Sequence, residues 1–259
     1  MNWTGLAAQA WDPSGGDEKQ FDHDFIKRII ESQNGPALDV GCGTGRLLLR
    51  YLEAGLTVEG VDTSADMLAI CRDKARTRGL PEPVLYQQAM QKLDLPKQYG
   101  VIYIPCGTFC LIIDRVEAFE ALRRLHAHLE PDGLLVFNLF WPFGDGEALS
   151  KKPLGGWTRW GKLWDDTQPD GSLMKQSLMR TSFNRAEQFF TARRRYQLVR
   201  DGKVIAEEVF DANERWFYKH EMVMMLEIAG FEDVQVKDGW SDADFAEVHD
   251  SMVFIATKK

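Results

Sequence analysis

Asp39, Gly41, Gly43 and Gly45 stand together at the end of a short apolar run, in "ALDVGCGTGRLLL". A turn with this GxGxG spacing lets a ligand approach the backbone, because no Cβ stands in the way. The spacing differs from the dinucleotide fingerprint GxGxxG, since Arg46 occupies the place of its third glycine. The Lys-Ser/Thr pair of a phosphate loop is missing too. About twenty residues further on, Asp62 closes a second apolar run, "TVEGVD". A carboxylate there can accept hydrogen bonds from both hydroxyls of a ribose. The two signals together point to a nucleotide-like ligand with a ribose and without a pyrophosphate.

Other reactive side chains are placed less tellingly. Cys42, Cys71, Cys106 and Cys110 form no CxxC pair and no zinc spacing, so they read as free thiols and no metal is expected. His126 and His128 are two apart on a helix, face different ways, and cannot be a metal pair. His23 and His220 read as structural or solvated, and no catalytic base is assigned. In "TARRRY", Arg193 and Arg195 share one strand face and Arg194 takes the other. A solvated face, with acidic partners from "AEE" and "DANE", explains these arginines better than a nucleic-acid contact does.

The elements that must position these residues follow from periodicity. "FDHDFIKRIIESQNG" places Phe21, Phe25, Ile26, Ile29 and Ile30 on one helical face. "ALDV" is a buried strand, and from Gly45 "RLLLRYLEAG" reads as a helix. "TVEGVD" is a second strand, and Ser64 can cap the helix "ADMLAICRDKARTRG". "VLYQQA" and "VIYIP" are further strands. Asp114 and Glu117 resemble a capping box for "RVEAFEALRRLHAHL", "PDG" reads as a turn, and "LLVFNLF" as the fifth strand. Strands alternating with such helices imply right-handed βαβ units and a parallel sheet covered on both faces.

The pattern changes after Phe140. From Trp157 to about Phe217, "WTRWGKLW", "LMKQSLMRTSF", "EQFFTARRRYQLV" and "KVIAEEVF" read as an antiparallel meander with a "DG" turn. The helix "YKHEMVMMLEIAG" and two strand candidates, "EDVQVKD" and "SMVFIATK", close the chain. One domain, 1–259, is expected, with a core at 37–140, an insertion at 141–218 and a closing helix and strand pair at 219–259.

Composition sets the outer limits. The 259 residues are 44% hydrophobic and 27% charged, enough for a sizeable core. A net charge of −8 argues against affinity that rests on neutralising phosphates, so nucleic acid is not an expected partner. The N-terminus lacks a basic segment followed by an apolar run, and no stretch approaches a membrane span. A cytoplasmic protein without membrane contact, monomeric or homodimeric, is expected.

"LDVGCGTGR", "VEGVDTSADML" and "LEPDGLLVFNLF" together resemble the motifs of class I S-adenosylmethionine-dependent methyltransferases, over roughly Ala37 to Phe140 and again in the terminal helix and strand pair. The resemblance implies a Rossmann-like sheet, mostly parallel with the last strand antiparallel, and an antiparallel β insertion after the fifth strand that serves as substrate lid. It implies S-adenosylmethionine as cofactor and S-adenosylhomocysteine as product. By position, Asp39 and the turn Gly41, Cys42, Gly43, Thr44 and Gly45 would face the methionine part. Asp62 would hold the ribose, with Thr63 and Met67 flanking the adenine. The family often has an acidic and then a small residue near the adenine amino group; this chain has Gln88, Ala89 and Met90, and a glutamine carbonyl can still accept a bond there. Pro105, Cys106 and Gly107 would pass the methionine amino group and sulfonium. Trp11 is the candidate lid residue over the cofactor.

Direct in-line transfer to nitrogen or oxygen of a small molecule is the expected reaction. The protein mainly aligns donor and acceptor and excludes water. "IPCG" after the fourth strand lacks the Asp/Asn-Pro-Pro-aromatic motif of the adenine and exocyclic-amine DNA enzymes. Pro105-Cys106 matches the cysteine nucleophile of cytosine-C5 enzymes acting on DNA or RNA and keeps that alternative open, although no Glu-Asn-Val partner is found. A non-catalytic binding protein and a dehydrogenase are further alternatives. The insertion resembles that of small-molecule N-methyltransferases acting on amino sugars or glycine. Its Trp157, Trp160 and Trp164, and Trp141 and Phe143 before it, read mostly as a small core, with one or two lining a pocket.

Overall fold

Short apolar runs become buried strands, and the helices between them cover both faces of the resulting sheet. The structure is a computed structural model that describes residues 3–11, 22–140, 160–168, 170–246 and 251–259. In chain order, α1 (Gly5–Gln9) and α2 (Asp22–Ser32) precede β1 (Ala37–Val40), α3 (Leu48–Glu53) and β2 (Val58–Asp62). Next come α4 (Ala65–Thr77), β3 (Leu85–Gln87), β4 (Tyr99–Ile104), α5 (Arg115–Ala127) and β5 (Leu129–Phe140). β6 (Gly161–Thr167), β7 (Leu173–Asn184), β8 (Phe189–Arg200) and β9 (Lys203–Arg215) form the second unit. The chain closes with α6 (Lys219–Ile228), β10 (Phe231–Asp238) and β11 (Ser251–Lys258).

The main sheet has the order β10-β11-β5-β4-β1-β2-β3. β1 pairs in parallel with β2 and β4, and β11 runs antiparallel to both β5 and β10. The Rossmann-like sheet with an antiparallel last strand is therefore the one expected. Strand order reverses between β1 and β4, which opens a crevice at their carboxyl ends. Every residue of β1 and β4 is buried, as strands covered on two faces must be. Leu48, Leu49 and Tyr51 of α3 are fully buried against them, each side chain contributing roughly 1.5–3 kcal/mol by transfer from water.

Helix ends follow the expected chemistry in part. Ser64 Oγ accepts from the Met67 N–H at 3.2 Å. Asp114 Oδ1 accepts from the Val116 and Glu117 N–H groups at 2.8 and 2.9 Å, so the cap is one-sided rather than a reciprocal box. Two boundaries differ from the sequence reading. α3 starts at Leu48 rather than Gly45, because residues 44–47 wind as a turn. "PDG" lies within β5, where Asp132 takes φ +62 and the register against β4 shifts between Tyr99 and Val101. A left-handed residue inside a strand replaces the expected turn.

The four strands β6-β7-β8-β9 form a separate antiparallel sheet. Asp201 and Gly202, both at positive φ, turn β8 into β9 as a two-residue hairpin requires. One face of this sheet packs on the core through the N-terminal segment. Trp3, Leu6, Ala7, Ala8, Met67, Met174 and Tyr196 make one buried cluster. Glu208 accepts from the Leu6 and Ala7 N–H groups at 3.0 and 3.3 Å, capping α1 from β9. Asp66 accepts from the Gly5 N–H at 2.8 Å, and Ser64 Oγ donates to the Trp3 carbonyl. α1 thus ties the second sheet to the start of α4.

Candidate functional site

The turn after β1 is the floor of the site. Gly41 has φ +77 and Gly43 φ +55, left-handed conformations that favour glycine. A Cβ on Gly41 would meet Thr108 Cγ2 at 2.5 Å, and one on Gly43 would approach Met67 Sδ at 3.3 Å and Trp11 Nε1 at 3.7 Å. The Gly41 and Cys42 N–H groups donate to the Val61 carbonyl at 2.7 and 3.1 Å, fixing the turn against the end of β2. Asp62 then receives one N–H on each oxygen: Gly43 on Oδ2 at 2.9 Å and Ser64 on Oδ1 at 2.8 Å. A carboxylate oxygen has two lone pairs, so Asp62, which lines the cavity, keeps accepting capacity beyond these bonds. Burial raises the Asp62 carboxyl, while the Ser64, Gly43 and Thr63 N–H groups pull it down.

Beneath the turn, Asp39 is 1% exposed. Burial raises its carboxyl to about 7, against the lowering influence of the Tyr103 hydroxyl and Arg46. The Tyr103 hydroxyl lies beside this carboxyl. Asp39 Oδ1 and Tyr103 Oη are both buried with no hydrogen-bond partner among the described residues. An unpaired buried carboxyl oxygen is costly and marks a place for a donor.

Beyond β4, Cys106 and Gly107 take φ +57 and +64. The Gly107 N–H donates to the buried Asn138 Oδ1 at 2.9 Å, and Thr108 Oγ1 donates to the Pro105 carbonyl at 2.7 Å. Arg46 Nη2 donates to Cys106 Sγ at 3.3 Å, while Asp22 holds the same guanidinium at 3.0 and 2.5 Å. Burial raises the Cys106 thiol despite the Arg46 charge beside it. The thiol therefore keeps its proton near neutrality, the opposite of what an activated nucleophile needs.

A cavity of ≈ 140 Å³ lies over this floor. Gly41, Gly43, Asp62, Thr63, Met67, Gln88, Met90, Cys106, Gly107 and Trp11 line it. Asp39, Cys42, Thr44, Gly45 and Pro105 support the turn and loop from behind, and Ala89 faces a neighbouring open cleft of ≈ 1010 Å³. Gln88 uses its amide on its own loop, donating to the Asp94 carbonyl at 3.1 Å and accepting from the Asp94 N–H at 2.8 Å. Trp11 meets Trp3 edge-on at 4.8 Å between centroids. Trp141, Phe143 and Trp157 lie outside the described residues. Trp160 stacks under Arg195 at 4.4 Å, and Trp164 packs on the cluster around Trp3.

Sequence reasoning missed the roof. Arg194 Nη2 donates to Glu214 Oε1 at 2.7 Å, and both side chains line the cavity. Arg194 also sits 5.2 Å from the Trp3 ring centroid. The alternation within "TARRRY" had the faces right: Arg193 points outward to Asp211 at 2.7 Å. The inner face, however, is turned to the cavity instead of solvent. Trp3, Asn138 and Phe140 also shape the site without having been singled out. Among the described residues, no histidine lines either space. His128 takes the Leu95 N–H on Nε2 at 2.9 Å and turns Nδ1 to the Arg124 carbonyl at 2.7 Å, a structural role.

Comparison with known proteins places this geometry. Residues 37–133 match the family described as a methyltransferase domain. A dTDP-3-amino-3,6-dideoxy-alpha-D-glucopyranose N,N-dimethyltransferase of Streptomyces fradiae is 36% identical over 104 residues, covering 40% of this chain and 39% of that protein. A glycine/sarcosine N-methyltransferase of Halorhodospira halochloris is 28% identical over 129 residues, covering 49% and 47%. The chain thus spans less than half the length of these curated relatives. The solved structure of an S-adenosylmethionine-dependent methyltransferase from Clostridium acetobutylicum superposes with a TM-score of 0.75 at 19% identity, covering 92% of this chain and 91% of that one. The sugar N-methyltransferase KedS8 from Streptoalloteichus gives 0.69 at 19%, covering 93% and 89%. Among the described residues, no helix is long and apolar enough to cross a membrane. Residues 37–133 thus match a methyltransferase-domain family, and the chain shares its fold with these solved methyltransferases.

Proposed function

We propose that the chain transfers a methyl group from S-adenosylmethionine to a nitrogen or oxygen of a small molecule. The observation that carries this reading is the joined pair at the switch point: a left-handed glycine turn whose Gly43 N–H is tied to Asp62. The residues fit the cofactor. Asp62 retains lone pairs for two ribose hydroxyls, and the buried Asp39 carboxyl beneath the turn would favour a cationic group above it. Thr63 and Met67 would flank the adenine, with Ala89 and Met90 on its outer side. Gln88 contributes at most the second lone pair of an oxygen that already serves Asp94. A nucleoside ligand exceeds ≈ 140 Å³, so it extends past Thr63 and Met90 into the adjoining cleft.

Bound there, the cofactor supplies a methyl group on a sulfonium, a good leaving group. The chain's own part is alignment: the loop Pro105–Gly107 passes one side of the reacting centre and Trp3, Trp11 and the Arg194–Glu214 pair close the other, excluding water. With both bound, the acceptor lone pair would displace the methyl group from sulfur, and an amine acceptor would shed its proton to solvent. The protonated Cys106 disfavours a covalent cysteine route. The free thiols of the chain suit a reducing compartment such as the cytoplasm. Incubation with a methyl-labelled donor and a panel of amines, hydroxy compounds and RNA tests the proposal. Label in an amine or hydroxy compound is expected; label in RNA alone, or S-adenosylhomocysteine binding without any turnover, would overturn it.

A further inference from the structure

The open cleft beside the cofactor cavity contains a buried cation with no anionic partner. Arg215 ends β9 and is 7% exposed. Its Nε donates to the Ile113 carbonyl at 2.7 Å, and its guanidinium lies 5.9 Å from the Phe217 ring centroid. Among the described residues, no carboxylate forms an ion pair with it and no hydrogen bond reaches its two Nη atoms. Nearby carboxylates are engaged elsewhere. Asp114 caps α5, and Glu221 accepts from Gln188 Nε2 at 2.8 Å and the Tyr218 N–H at 3.1 Å.

A desolvated guanidinium is costly unless paired, and its planar fork matches a carboxylate or phosphate in two parallel bonds. The cleft of ≈ 1010 Å³ has room for such a ligand. It meets the cofactor cavity at Thr108 and Leu111, next to the loop Pro105–Gly107 and away from the adenine end, so a molecule seated there can reach from Arg215 to the donor. The rest of the charged wall is mainly acidic, Asp114, Glu117, Glu187 and Glu221 against Arg115. That balance favours a ligand carrying a cation as well as an anion. We propose that this cleft seats the methyl acceptor, and that Arg215 anchors a carboxylate or phosphate of an acceptor that also bears an amine. The proposal rests on the methyl-transfer reading above.

Pyrophosphate and acetate are the probes, titrated calorimetrically into the protein with S-adenosylhomocysteine present, against chloride of equal ionic strength. At least one oxyanion should bind, and which one distinguishes a phosphate-bearing from a carboxylate-bearing acceptor. Arg215→Gln should weaken that binding about tenfold or more, with Arg215→Lys between. Ala186→Trp, at the exposed turn between β7 and β8, should block it by filling the cleft while leaving Arg215 in place. That variant keeps the proposal testable if the Arg215 variants fail to fold. Failure of both probes to bind wild type, equal binding to Arg215→Gln or Ala186→Trp, or competition with S-adenosylhomocysteine would each overturn it. Failure of S-adenosylhomocysteine itself to bind would instead remove the methyl-transfer reading and leave the anion site to the same titration.

Discussion

Replacing Asp39 by asparagine deletes a titrating group beneath the glycine turn while preserving its shape. Burial raises this carboxyl from 3.8 to about 7 in the folded chain. A carboxyl whose pKa is higher folded than unfolded holds its proton more tightly in the native state. Its contribution is therefore fully present below the unfolded value and is lost as pH rises toward the folded value. Between about pH 4 and pH 7 the loss amounts to about 4 kcal/mol. Denaturant unfolding of the ligand-free protein should show this decline, and the Asp39→Asn protein should lack it. An ammonium donor brought by the cofactor stabilises the ionised form, so binding near pH 6 should release up to about one proton. Calorimetry in buffers of different ionisation enthalpy measures that release, and Asp39→Asn should abolish it. Equal pH dependence of stability in wild type and variant, with S-adenosylmethionine binding that releases no proton, would refute the assignment of Asp39.

Other perturbations probe neighbouring parts of the site. Asp62→Asn keeps one acceptor oxygen and turns an NH₂ toward either the Gly43 or the Ser64 N–H; losing one charge-assisted ribose bond, about 1.5–3 kcal/mol, should weaken S-adenosylhomocysteine roughly 10–150-fold, and a change under about twofold by calorimetry would sink that role. Gly41→Ala should destabilise the protein by about 1–2 kcal/mol from its left-handed backbone alone, with more from the contact with Thr108 Cγ2. Adding Thr108→Ser, which removes that methyl group, should recover part of the loss in denaturant melts; no recovery would mean the clash is relieved elsewhere. Cys106→Ser should lower turnover by less than about tenfold, since Arg46 can still donate to the hydroxyl; abolished turnover with intact S-adenosylhomocysteine affinity would revive the nucleophile reading.

Much of the core was legible because its signals are local. "ALDV" and "TVEGVD" are short runs with a carboxylate at or next to their last residue, and their burial on both faces follows from the helices between them. The register of "TARRRY" was legible too, because strand alternation is geometric. What lies against each face was not. Arg194 faces the cavity only because α1 and Trp3 hold the second sheet there, through contacts between residues some 200 positions apart in sequence, such as Leu6 and Glu208. α1 itself has five residues and no side-chain cap of its own, so nothing nearby in sequence announces it. Gln88 looked available for adenine because its partner, the Asp94 backbone, leaves no trace in residue type.

On the proposed reading, donor and acceptor functions are divided along the chain, in keeping with where the family match ends. The methyltransferase-domain match ends at residue 133, after the glycine turn, Asp62 and the loop beyond β4. Asn138, which holds that loop, and Arg194, Glu214 and Arg215, which roof the cavity or line the cleft, all come later. N-terminal Trp3 joins the halves, its ring against Arg194 and its carbonyl on Ser64 at the start of α4. A substitution at Trp3 therefore disturbs both parts at once. Changes confined to the outer wall of the cleft, at Ala186 or Glu187, can alter which molecule fits while the glycine turn and Asp62 keep their bonds. If the cleft seats the acceptor as proposed, specificity can vary along this wall without disturbing the donor site, provided that Glu208 and Asp66 continue to hold α1 between them.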